Sequence, residues 1–124
     1  MLEFNVAGTN FKSENVKKAA EVFKTTPLLM KVKLVKEPTN VYDPNAVQVL
    51  INVGDNFEFI HCGYVPKHFS EEFTEYFGHV KNPIVNFIGK VDGLRGTTII
   101  ISFELDDDYV EKESVTTADD ILNF

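Results

Sequence analysis

Hydrophobic and polar residues alternate along several short stretches of the chain, the two-residue period that a half-buried strand requires. Leu2–Gly8 alternates with β-branched and aromatic residues and predicts a first strand closed by Gly8. Leu28–Lys36 predicts a second, with Met30, Val32 and Leu34 on one face and Lys31 and Lys33 on the other. Asn45–Val53 and Phe57–Val65 predict two more, joined by a hairpin turn at Gly54-Asp55-Asn56. Asn82–Val91 and Thr97–Leu105, around a turn at Asp92–Gly96, bring the count to six.

A helical period occurs twice. Ser13–Lys24 carries Val16, Ala19, Ala20 and Phe23, a spacing that fits a short helix or an irregular turn. After Pro66, which suits a first helical position, Phe69, Phe73, Tyr76 and Phe77 recur at i, i+4, i+7 and i+8, and Gly78 is a good stop. With one clear helix and no strand–helix–strand alternation, the pattern predicts a mainly β fold: a six-stranded OB-like antiparallel barrel with one packed helix. The Phe69/Phe73/Phe77 stripe belongs to its core, and Cys62 beside Gly63 reads as a small buried residue.

Beyond Leu105 the alternation stops. The 124 residues suit one core, so the chain divides into a barrel domain over 1–105 and an acidic tail over 106–124, read as disordered. Charge sharpens this division. The formal net charge of −7 is carried wholly after Phe103, where eight acids meet one lysine; residues 1–103 hold eleven acids and eleven bases. A neutral body can still present a basic face to nucleic acid.

Other classes fall away on chemistry. A single cysteine excludes an intrachain disulfide framework and leaves a structural zinc site without its thiolates, and His61, His68 and His79 lack metal-ligand spacing. No nucleophile–base pair or Walker loop is present, and Asp106-Asp107-Asp108 lies in the tail, so no enzyme, metal or cofactor is expected. No run reaches membrane-spanning length and the N-terminus carries no basic leader. The expectation is a cytoplasmic protein, bacterial or phage-encoded, with no membrane partner.

The densest chemistry lies in Leu34-Val35-Lys36-Glu37-Pro38-Thr39-Asn40-Val41-Tyr42-Asp43-Pro44-Asn45-Ala46-Val47, followed by Gly63-Tyr64-Val65-Pro66. Physically this is a strand, a polar loop, a second strand and a tight passage into a helix. Asn40, Asp43 and Asn45 can each bond back to loop amides and restrict Tyr42. The loop, the Gly-Tyr-Val-Pro segment and the opening Val6-Ala7-Gly8-Thr9-Asn10-Phe11 together resemble the HIRAN domain family over roughly residues 4–104.

That resemblance implies a modified OB-like barrel that binds single-stranded DNA, with a 3′ end as the ligand captured by a fork-remodelling member. It places Asn40, Tyr42 and Asp43 at DNA-contacting loop positions, Tyr64 where that member has a histidine, and Lys67 near a basic helix position. Asn10 and Phe11 stand where it has Arg-Tyr, so strand binding by stacking carries over more fully than end capture. The residues agree on their own terms, because a strand-binding surface needs exposed rings and positive charge. Tyr42 and Tyr64 are candidate stacking platforms, and Lys31, Lys33, Lys36 and Lys67 candidate phosphate contacts. The plainer alternatives are a solvated lysine face, a Tyr42 that plugs the structure, and asparagines that only hold the loop.

The last residues, Asp119-Asp120-Ile121-Leu122-Asn123-Phe124, are similar to the acidic tip of bacterial single-stranded-DNA-binding proteins, with Asn123 where those have proline. Asp119 and Asp120 would steer the approach while Ile121, Leu122 and Phe124 dock on a replication or repair protein. The function expected is therefore non-enzymatic single-stranded-DNA binding with partner recruitment. The alternative is an interaction module or DNA mimic that competes with a host single-stranded-DNA-binding protein for its partners.

Overall fold

Val47, Val49 and Ile51 are wholly buried and alternate with half-exposed Gln48 and Leu50, so the period read from the sequence is realised in space. The computed structural model describes residues 2–26, 30–53 and 58–109. The strands are β1 (Leu2–Asn5), β2 (Val32–Lys36), β3 (Val47–Asn52), β4 (Phe59–Tyr64), β5 (Val80–Gly89) and β6 (Thr98–Leu105). Two helices, α1 (Ser13–Thr25) and α2 (Lys67–Tyr76), lie between them, with short 3-10 turns at Thr9–Lys12 and Phe77–His79.

The strands form two antiparallel three-stranded sheets, ordered β1-β6-β5 and β2-β3-β4. The mainly β, antiparallel, six-stranded character expected is present, while no closed barrel forms among the described residues. The sheets meet edge to edge at two single-residue bridges, Ala7 with Tyr64 and Lys31 with Ile84, and no ladder joins them among the described residues. The strand edges there are interrupted by residues of left-handed backbone conformation. Gly8 has φ 73° just after the first bridge, and Asn82 has φ 52° before Pro83 beside the second. A proline nitrogen cannot donate to a neighbouring strand.

The expectation of one helix is also corrected. Ser13–Thr25 is a full thirteen-residue helix that buries Val16 and Ala19 and packs Ala20, Val22 and Phe23 on the core. It ends at Thr26, whose successor Pro27 disfavours a helical residue before it. Strand ends are shorter than the alternation suggested. The first strand stops at Asn5 instead of reaching Gly8, and regular pairing of the second begins at Val32. Residues 27–29, the Gly54-Asp55-Asn56 turn and the tail beyond Tyr109 lie outside the described residues.

Helix α2 starts at Lys67, with Pro66 as its extended N-cap, and closes one end of the core. Phe73 is fully buried, and its ring meets Phe4, Phe103 and Tyr76 at centroid distances of 6.1, 5.6 and 5.3 Å. Edge-on contacts of this kind suit aromatic quadrupoles. Cys62 is fully buried on β4, and desolvation pushes its thiol up to about 12, which leaves a small inert core residue.

Candidate nucleic-acid interface

The loop between β2 and β3 is built by its own polar side chains. The Asn40 carboxamide oxygen accepts the backbone N–H groups of Tyr42 (2.8 Å) and Asp43 (3.0 Å), while its nitrogen donates to Glu37 Oε1 (3.1 Å). Asp43 Oδ1 accepts the Asn45 N–H at 2.9 Å, and Asp43 Oδ2 lies 3.1 Å from the Ser70 hydroxyl of α2. Short polar side chains that capture amides two and three residues on close a loop without secondary structure. The tether to Ser70 fixes that loop against the helix.

Glu37 is the hub of this network. Its carboxylate accepts from Asn40, from the Gln48 carboxamide and from the Tyr64 hydroxyl (3.1 Å to Oε2). The donors, Gln48 first, hold its carboxyl below the ordinary 4.5 against an opposing desolvation. Tyr64 is raised above 10 by burial and by the same carboxylate, so it stays a hydroxyl donor. Tyr42, whose backbone N–H is held by Asn40, has 87% of its surface exposed.

The second half of the surface comes from the segment after β1. Tyr64 and Ala7 exchange backbone bonds of 2.8 and 2.9 Å, which draws the two sheets together beneath Gly8. A Cβ on Gly8 would stand 4.0 Å from the Tyr64 ring and 3.9 Å from the Phe11 ring, so these aromatics flank one glycine. Phe11 is 89% exposed. Its neighbour Lys12 acts on His61, which is held below 6.5 by burial first and by that cation second. His61 is T-shaped against Tyr64 at 4.9 Å and holds the Gly63 carbonyl at 2.9 Å.

The structure thus gathers most of the residues expected from the sequence. Phe11 and Tyr64 flank Gly8, Asn10 lies against Gly96, and the Glu37–Tyr64 bond carries the surface on to Asn40, Tyr42 and Asp43. Lys67 opens α2, and its carbonyl lies 2.9 Å from the same Ser70 hydroxyl that meets Asp43. Lys31 and Lys33 are not brought to this cluster. They lie toward the opposite end of β2, where Lys31 bridges to β5, and Lys36 sits 4.8 Å over the Phe77 ring.

Three contributors escaped sequence reading. Glu37 and Ser70 are ordinary surface residue types until the loop folds onto them. The turn that carries Arg95, the chain's one arginine, packs against the site: a Cβ on the neighbouring Gly96 would strike the Asn10 carboxamide. The same turn also exposes Leu94 and Val91. The signal that could have found it is the lone arginine within the glycine-flanked Gly93-Leu94-Arg95-Gly96 turn.

The whole of residues 1–105 matches the HIRAN domain model. The chain belongs to the HIRAN domain family. No curated protein and no solved structure matches it. Membership of this HIRAN chain points to interaction with DNA. Among the described residues, no three His, Cys, Asp or Glu side chains converge as a metal site would require, and no helix is long and apolar enough to cross a membrane.

Proposed function

We propose that this HIRAN domain binds single-stranded DNA without catalysing a reaction, laying the strand across Tyr42, Tyr64 and Phe11. The observation that carries the reading is the loop clamp. A tyrosine 87% exposed on a backbone clamped by Asn40 offers its ring to a base from a loop that is already ordered. Phe11 offers a second sequence-tolerant face, and Lys12, Lys67 and Arg95 supply positive charge around the path. In the same reading, the Asp43 carboxylate next to Tyr42 accepts a terminal 3′ hydroxyl, and the acidic tail recruits replication or repair proteins.

A fluorescence anisotropy titration with single-stranded and duplex oligonucleotides of equal length tests this. Single strands should bind more tightly, because only unpaired bases reach the rings. The dependence on salt then counts the cations engaged. Three phosphate contacts give a log–log slope of about −2, and recruitment of Lys31 and Lys33 as well steepens it to about −3.5. Equal affinity for duplex, or no binding at low salt, overturns the proposal.

A further inference from the structure

The two sheets leave a groove where β2 passes β5. Val32, Leu34, Phe77, Val80 and Pro83 line it, Lys33 stands at its rim, and its volume is about 270 Å³. That is smaller than the pockets that enclose small-molecule ligands and suits the apolar side chains of a short peptide. Its surroundings are basic. Lys31 lies at the adjoining β2–β5 bridge, Lys36 covers the outer face of Phe77, and none of these three lysines is ion-paired among the described residues.

The chain itself is delivered to this place. Asp106 accepts from His79 Nδ1 at 2.9 Å and donates its backbone N–H to the His79 carbonyl. Tyr109 then packs its ring on Tyr76 and His79, at 5.6 and 5.4 Å. These two residues flank Phe77, the floor of the groove. The described chain therefore ends beside the groove with fifteen residues still to follow. Fully extended, fifteen residues span up to about 50 Å, far more than the distance needed. A segment tethered this close is held at an effective concentration on the order of millimolar.

From these observations we infer that residues 119–124 dock in the β2–β5 groove of their own chain, Ile121, Leu122 and Phe124 entering the apolar floor and Asp119 and Asp120 meeting the lysine rim. The segment carries both chemistries the groove offers, three large apolar side chains directly after two carboxylates. Apolar contact supplies the anchoring and opposite charge the orientation. The docked state stands apart from the Tyr42 surface and does not rest on the DNA-binding reading.

Two-dimensional amide NMR of the full chain tests the docking without DNA. Replacing the three anchors together (I121S/L122S/F124S) should shift the amides of Leu34, Phe77 and Val80 and lower the heteronuclear NOE of residues 121–124. The exposed rim variant Lys33→Glu should release the segment in the same way while leaving the fold intact. Unchanged groove amides in both variants overturn the inference, as do shifts confined to the Tyr42 and Phe11 region. Shifts that grow with protein concentration also overturn it, because they place the segment on a second copy.

Discussion

Gly63→Ala is expected to destabilise the domain by about 3 kcal/mol or more, because the new methyl has nowhere to go. Gly63 lies at the contact between the sheets, with φ 158°, and a Cβ there would stand 2.6 Å from Val6 Cγ1 and closer still to the Ala7 carbonyl oxygen. Relief requires Ala7 to retreat from Tyr64, which breaks both bonds of the bridge and tilts Tyr64 away from Glu37. For a domain of this size the loss lowers the melting temperature by roughly 10–20 °C. Gly78→Ala is the control, since a Cβ there meets nothing within 4 Å. It should be neutral or slightly stabilising. Calorimetry of the two variants decides the matter; comparable melting temperatures would mean that the sheets do not depend on close approach at residue 63.

Tyr42→Ala is expected to weaken single-strand binding by about 1–3 kcal/mol, or roughly 5- to 150-fold, with the melting temperature unchanged. The ring is almost wholly in solvent, so folding gains little from it, whereas the backbone N–H of residue 42 stays bonded to Asn40 whatever the side chain. Tyr42→Phe keeps the π-face and should bind nearly as wild type. Full affinity in Tyr42→Ala at an unchanged melting temperature would remove the ring from the binding surface. A large loss in Tyr42→Phe would instead assign the contact to the hydroxyl.

How far the sequence carried the fold depended on the range of the interaction. Alternation located all six strands, because side-chain direction in a strand is local. It overran their ends at Leu2–Gly8, where pairing with β6 stops at Asn5 and the chain turns toward Tyr64. The division into two sheets was not legible, since it depends on which edges meet after folding. The α1 segment was ambiguous because thirteen residues of helix need tertiary burial, here of Val16 and Ala19, to become stable.

The site divides along the same line. The bonds Asn40 and Asp43 make within the loop span two or three residues and were foreseeable from residue type. The Ser70–Asp43 and Tyr64–Glu37 contacts each span 27 residues and were not. The β2 lysines were grouped with the loop on strand polarity alone. In space, the rise of roughly 3.3 Å per residue sets Lys31 about 16 Å from Lys36 and puts it at the other seam.

Strand order also fixes the sequence of assembly. Sheet β2-β3-β4 is drawn from the contiguous residues 32–64, and β5 and β6 are joined by one short turn, so both can form from local contacts. Strand β1 is different: Leu2 pairs with Phe103, across nearly the whole domain. Closing that loop has the largest entropic cost of any pairing in the fold, and the nearby Ala7–Tyr64 bonds share it. The surface that displays Phe11 is therefore expected to form last. In a pulsed hydrogen-exchange experiment the amides of Val6, Ala7 and Tyr64 should gain protection after those of β3, so a chain caught midway in folding holds the Tyr42 loop without its aromatic neighbour.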